Sequence, residues 1–274
     1  MPSGLTWFLI GQPKTGKTTA SSRWSDKGND GVILLDTDLG SDFVDGVNAV
    51  TISSLNPPMR PVLHEDKQVT KGGVPQTEVI PPNERGFLAR TGKDKGKPID
   101  AYSLIEVYNW LATAWDTLPY ETIVIDTIGQ VNEWIETTVC EELGISAMGE
   151  GQWGADWGKA RRKNVDVIKR FQSLIKQKGG NLVLISHAKS TVVTDGKAQL
   201  GPELPRGLGY SLAAKADVIG YITAKKDDGG FYVSFEAYDE RVVGSRLKPL
   251  NQKQLPFDYK TVCDEILNYK EEKQ

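Results

Sequence analysis

Residues 5–20 read LTWFLIGQPKTGKTTA. An apolar run over 6–10 feeds directly into Gly11-Gln12-Pro13-Lys14-Thr15-Gly16-Lys17-Thr18. That is G-x-x-x-x-G-K-[ST] after a strand and before a helix, the pattern of a phosphate-binding loop. Its glycines let the backbone wrap so that successive N–H groups point at one anion. The helix that follows offers its positive N-terminus to the same phosphates. The candidate nucleotide-binding residues are therefore Gly11, Gln12, Pro13, Lys14, Thr15, Gly16, Lys17, Thr18 and Thr19. Lys17 is placed to reach the β- and γ-phosphates and Thr18 to ligate Mg²⁺. The competing reading is an ordinary Gly/Thr-rich turn between a strand and a helix.

Further along, buried-strand signals end in polar groups. Residues 32–36 (VILLD) are a short apolar run between turn signals, typical of a buried parallel strand. The run ends in Asp36-Thr37-Asp38. Ligands of α/β sheets gather at the carboxyl ends of strands, so both acids are site candidates. Asp36 is a candidate metal-site acid, and Asp38 a candidate base or water-positioner for hydrolysis. The alternative is that either one caps the following turn. Residues 122–127 (TIVIDT) repeat the pattern. Alone it is unspecific; paired with the upstream loop, Asp126 becomes the carboxylate that holds the Mg²⁺ water shell. Residues 181–186 (NLVLIS) lead into His187, one of two histidines. Beside the γ-phosphate His187 can sense whether nucleotide is present; a satisfied structural histidine is the alternative. The catalytic candidates are Lys17, Asp38, Asp126 and His187, and the metal candidates Thr18, Asp126 and Asp36.

Helices are expected over 18–24, 101–115, 128–143, 159–178, 208–215 and 259–270. Strands over 217–224 and 231–237 form a hairpin, and a smaller one crosses Asp195-Gly196. The expected fold is α/β: a mostly parallel twisted sheet flanked by helices, with an antiparallel C-terminal hairpin. It spans 1–270 as one domain, with a polar tail at 271–274. Residues 53–100 change character, with clustered prolines and the basic run RTGKDKGK at 90–97. They read as an insertion within the domain. The basic run is either a solvated loop or a contact to a nucleic-acid backbone. Residues 146–158 (SAMGEGQWGADWG) are glycine-rich and carry Trp153 and Trp157. In a mobile loop such rings stack on bases; alternatively they pack the loop onto the core.

A net charge of −3 announces no global basic field, so any nucleic-acid surface is local. Cys140 and Cys263 stand in no metal-ligand spacing. They suit a reducing compartment and a role as small buried hydrophobes. No basic-then-apolar leader precedes the phosphate loop, and no apolar run approaches the length of a membrane span. A cytoplasmic protein with no membrane partner is expected.

The order strand, phosphate loop, helix, strand–DTD, strand–Asp126-Thr127, strand–Ser186-His187 and basic hairpin resembles the RecA-like P-loop NTPase core. More closely, GQPKTGKTT, LLDTD, TIVIDT, LISHAKS, KADVIGYI and DERVVGSRLKP resemble the phage-encoded ATP-binding proteins of the RecA-like recombinase group, which support single-strand annealing. The resemblance covers the chain apart from the region of residues 53–100. It implies ATP and Mg²⁺ as cofactors, single-stranded DNA as partner and a homo-oligomeric ring or filament. It also implies a single-strand-binding protein as a further partner and the host bacterial cytoplasm as compartment. Asp38 stands where a glutamate usually activates water, and the shorter side chain implies slow turnover. His187 stands where a glutamine commonly senses the γ-phosphate. The stretch 189–206, with Lys189, Lys197 and Arg206, corresponds to one DNA-contacting loop and 149–158 to the other. Arg241, Arg246 and Lys248 fall where cations reach the nucleotide of a neighbouring subunit; surface salt bridging is the alternative.

The function this implies is an ATP-binding and ATP-hydrolysing protein that binds single-stranded DNA in phage recombination or annealing. A kinase of a small molecule or nucleotide, with 90–97 as its lid, is one alternative. A non-catalytic nucleotide-dependent clamp is the other.

Overall fold

A computed structural model of the chain describes residues 3–56, 67–78, 87–88, 98–99, 102–192, 198–224, 229–237 and 241–269. The strands are β1 Thr6–Gly11, β2 Val32–Asp36, β3 Ala49–Ser54, β4 Lys67–Lys71, β5 Val74–Glu78, β6 Phe87–Leu88, β7 Pro98–Ile99, β8 Tyr102–Ser103, β9 Thr122–Asp126, β10 Asn181–Val192, β11 Ala198–Pro202, β12 Val218–Ala224, β13 Phe231–Ser234, β14 Gly244–Ser245 and β15 Gln254–Pro256. The α-helices are α1 Lys17–Ser21, α2 Leu104–Ala114, α3 Ile128–Leu143, α4 Ala155–Lys178, α5 Arg206–Ala213 and α6 Tyr259–Leu267.

The central sheet has the spatial order β15-β13-β12-β1-β10-β9-β2-β3-β8. From β12 to β8 every neighbouring pair is parallel. The antiparallel strands β13 and β15 extend it at one edge, as the C-terminal hairpin signal predicts. The architecture is a mixed α/β fold with a mostly parallel sheet flanked by helices, the phosphate-loop NTPase arrangement.

Period-two alternation builds two cores. Phe8, Ile10, Ile33, Leu35, Ile123 and Ile125 face one side, against α2, α3 and α4. Trp7, Leu9, Val32, Leu34 and Val124 face the other, where Trp24 meets Trp7, Phe257 and Tyr259 at ring-centroid distances of 5.2, 5.5 and 5.8 Å. Helix ends follow local chemistry. The Ser103 hydroxyl accepts from the Glu106 N–H to start α2, and Gly144 and Gly179 take left-handed conformations to close α3 and α4.

Some boundaries differ from expectation. Helix α1 stops at Ser21, so Trp24 turns into the core instead of extending the helix. Strand β3, not among the expected strands, alternates over a short span: Val50 and Ile52 are buried while Ala49 and Thr51 are half-buried and Ser53 is exposed. Cys263 is buried as expected, but Cys140 is half-buried on α3 and lies outside the core. Between β3 and β8 lie two small antiparallel sheets, β4-β5 and β6-β7. The basic run 90–97 lies outside the described residues. Among the described residues no helix is long and apolar enough to cross a membrane.

Candidate nucleotide site

Parallel register gathers the site. Gly11 at the end of β1 is level with His187 of β10, and Ile185 of β10 is level with Asp126 of β9. Asp126 is in turn level with Asp36 of β2. Strand β10 lies between the phosphate-loop strand and the Asp126 strand. His187 therefore emerges between the loop and the acid.

In the loop, Gln12, Pro13 and Lys14 are exposed while Thr15 and Lys17 are buried. Lys14 and Gly16 have φ of +63° and +73°, so the chain coils tightly before α1. The Thr15 hydroxyl donates to the Gln12 carbonyl at 2.8 Å. The Lys17 ammonium donates to the same carbonyl at 2.7 Å. Burial pulls the Lys17 ammonium below its ordinary value, opposed by the charges of Asp126 and Asp38. A phosphate would supply the negative partner that this buried cation lacks in the loop itself.

The Thr18 hydroxyl donates to Asp126 Oδ2 at 2.5 Å, across 108 residues of sequence. Burial pushes the Asp126 carboxyl up to about 6, and the charges of Asp36 and Asp38 act in the same direction against the Thr18 hydrogen bond and Lys17. A hard oxygen-seeking cation suits this pair of one hydroxyl and one carboxylate, whose charge Lys17 and Thr18 offset only in part. Among the described residues no group of three or more His, Cys, Asp or Glu gathers to hold a metal by itself. Mg²⁺ would therefore be held by Thr18 and Asp126 together with water and nucleotide phosphate.

Asp36 does something else here. Its Oδ2 accepts from the Ser41 N–H at 2.9 Å and the Ser41 hydroxyl at 2.5 Å, and its Oδ1 accepts from the N–H groups of Asp38 and Gly40 at 3.2 Å. Four donors occupy the carboxylate, so Asp36 shapes the turn that carries Asp38. Nothing in the apolar run 32–36 marks Ser41, which completes this turn. Thr37 locks the neighbouring strand ends: its hydroxyl accepts from the Thr127 N–H at 2.7 Å and donates to the Thr127 carbonyl at 2.9 Å. Asp38 is exposed, and its Oδ2 lies 3.3 Å from His187 Nε2. His187 Nδ1 is buried with no protein partner.

The remaining candidates divide by place. Trp153 is fully exposed, whereas Trp157 is 43% exposed. The loop carrying them is pinned, not loose: Asp156 accepts from the N–H groups of Gly149, Gly151 and Trp157 at 2.5, 3.3 and 2.8 Å. The Gly149 bond leads in holding the Asp156 carboxyl below its ordinary value. The same bonds start α4 at Ala155, four residues before the expected Lys159. Trp157 and Lys189 line a cavity of about 460 Å³ with Tyr210, Glu133, Glu136 and Glu203. Lys197 lies outside the described residues, and Arg206 is the first residue of α5. Arg241 stacks over the Tyr221 ring at 5.0 Å. Arg246 pairs with Asp217 at 3.0 Å and donates to the Ala214 carbonyl at 3.1 Å, and Lys248 is exposed in the following turn.

A glycine-bounded loop at the end of a parallel strand, a buried lysine and a hydroxyl–carboxylate pair joining the following helix to another strand define a phosphate-loop nucleotide-binding protein. A family model described as an AAA domain matches residues 3–255, and the chain belongs to that family of nucleotide-binding ATPases. No curated protein matches the chain.

Proposed function

We propose that this AAA-domain protein binds and hydrolyses ATP with Mg²⁺ and, as a homo-oligomer, binds single-stranded DNA in phage recombination or annealing. The observation that carries the reading is the continuity of β10. One strand holds His187 beside Asp38 and, two residues on, Lys189 on the wall of the Trp157–Tyr210 cavity. The Glu203 N–H donates to the His187 carbonyl at 2.7 Å, tying the opposite wall to the same residue. A change at the γ-phosphate has a short lever on that cavity. Exposed aromatic rings beside cations are what sequence-tolerant single-strand binding requires. Glu133, Glu136 and Glu203 repel phosphate, so bases would face inward and the backbone would run past Lys189. A single-strand-binding protein is a fitting partner for such a surface.

Arg246 sits against the start of β1 through Asp217, which also accepts from the Thr6 N–H. That is about 17 Å of strand away from the protomer's own loop. A nucleotide served by Arg246 would belong to a neighbouring subunit. Lys248 follows Arg246 in the next turn, whereas Arg241 sits over Tyr221, level with Ile10 near the protomer's own loop.

The test is ATP turnover with and without single-stranded DNA, at several salt concentrations, for the wild type and Lys17→Ala. The reading expects DNA-stimulated turnover that Lys17→Ala abolishes and salt weakens steeply. Turnover indifferent to DNA in a protein that stays monomeric with nucleotide would refute it. The clamp reading is favoured by one observation, the Asp38 carboxylate engaged by His187, and predicts normal ATP binding with negligible turnover.

A further inference from the structure

The second glycine of the phosphate loop has an aromatic neighbour from the far end of the chain. A Cβ placed on Gly16 would lie 2.6, 2.8 and 3.0 Å from Cδ2, Cε2 and Cγ of Phe231. The ring therefore packs directly on the loop, and only a residue without a side chain permits that approach. Phe231 opens β13 opposite Ala224, the last residue of β12, and β12 pairs with the phosphate-loop strand. The ring thus stands at the same sheet edge as the loop. It remains 40% exposed, and Gln12, Pro13 and Lys14 of the same loop are exposed as well.

Direction follows from the rest of the site. Asp126, Asp38 and His187 mark the terminal-phosphate end and belong to β9, the end of β2 and β10, all on one side of β1, with the Thr18 hydroxyl bonded to Asp126. Phe231 lies on the other side, with β12 and β13. A nucleotide held by its phosphates has to carry its base away from the terminal phosphate, toward Phe231. A half-exposed aromatic face there offers a stacking surface that no phosphate contact requires.

We propose that Phe231 is the aromatic wall that receives the nucleobase of the bound nucleoside triphosphate. The inference rests on the nucleotide-site reading above and assigns its base-binding side.

The experiment is calorimetric titration of the full chain with Mg²⁺-ATP and, separately, with Mg²⁺ and inorganic tripolyphosphate, which has no base. The wild type is compared with Phe231→Ala, Phe231→Leu and Phe231→Tyr. Phe231→Ala and Phe231→Leu are expected to lower ATP affinity roughly tenfold, Phe231→Tyr to retain it, and all to leave tripolyphosphate within about twofold. Phe231→Leu keeps an apolar group on Gly16, so it decides the matter if the alanine variant folds poorly. Unchanged ATP affinity in Phe231→Leu overturns the proposal. So does a gain for both ligands, the signature of a ring that merely covers the loop. A wild type that binds neither ligand overturns the nucleotide-site reading, and this inference with it. A wild type that binds both, indifferent to the ring, overturns this inference alone.

Discussion

At Asp126 two demands conflict. A carboxylate that holds a metal shell must be ionised, yet burial among strand ends disfavours the charge and pushes the group up to about 6. The unfolded chain releases that proton near the ordinary aspartate value, so the folded state holds a proton that the unfolded state has lost between about pH 4 and 6. Stability is therefore lost as pH rises through that window and levels off above it. Asp126→Asn should make the nucleotide-free protein more stable than wild type by about 1–3 kcal/mol at pH 8. The difference should vanish below about pH 4 in urea melts; a constant difference across pH would contradict the assignment. For Lys17→Ala, loss of a charged hydrogen bond to phosphate predicts a drop of about 10- to 100-fold in ATP affinity by titration calorimetry. Gly11 to Thr18 and Asp126 are legible as a candidate site because the motif is local and the acid ends an apolar run. Asp36 stood in the same kind of pattern, but its oxygens serve the Asp38–Ser41 turn. The pattern shows that an acid ends a strand, not which donors meet it.

Helix α4 and the loop before it show how one buried acid organises an element. Asp156 supplies the acceptors for three N–H groups and leaves the Trp153 ring fully in solvent. Backbone donors depress the Asp156 carboxyl, so its contribution is present above the ordinary aspartate range and is lost as pH falls through its lower folded value. Asp156→Ala should speed amide exchange at Gly149, Gly151 and Trp157 well before global unfolding. Uniform protection in that variant would show that the loop is held elsewhere. The two tryptophans should behave differently. Trp153→Ala removes a ring that covers nothing, so the melting temperature should stay put while single-strand affinity falls by about 1–3 kcal/mol in fluorescence anisotropy. Trp157→Ala opens the shared cavity wall and should lower both. The glycine-rich composition of 146–158 reads as looseness because composition carries no record of a side chain seven residues from the amide it holds.

Across the whole molecule, the sheet order separates functions that the chain interleaves. Arg246 lies at the amino end of β12, beside the start of β1, while the phosphate loop lies at the opposite edge. The Arg246 guanidinium is largely exposed, but the Asp217 carboxylate it meets is mostly buried, so solvent screens the pair only in part. Arg246→Ala is expected to cost about 1 kcal/mol of stability and leave ATP binding intact, while lowering turnover only under conditions of assembly, read by sedimentation alongside the ATPase rate. Equal turnover in wild type and variant at every protein concentration would remove Arg246 from any shared site.

By itself the sequence determined the phosphate loop, the apolar runs that make the inner strands, the presence of the main helices and the acids that end strands. Each of these is written in residues close along the chain, where periodicity and turn chemistry act. Only the tertiary structure decided that β10 lies between β1 and β9, that Thr18 reaches Asp126 and that His187 meets Asp38. It also decided that Phe231 rests on Gly16. Parallel pairing joins segments from 15 to 211 residues apart through backbone hydrogen bonds, and these are the same whatever the side chains. No local pattern encodes which strands become neighbours, so the contacts that complete the site are set by packing.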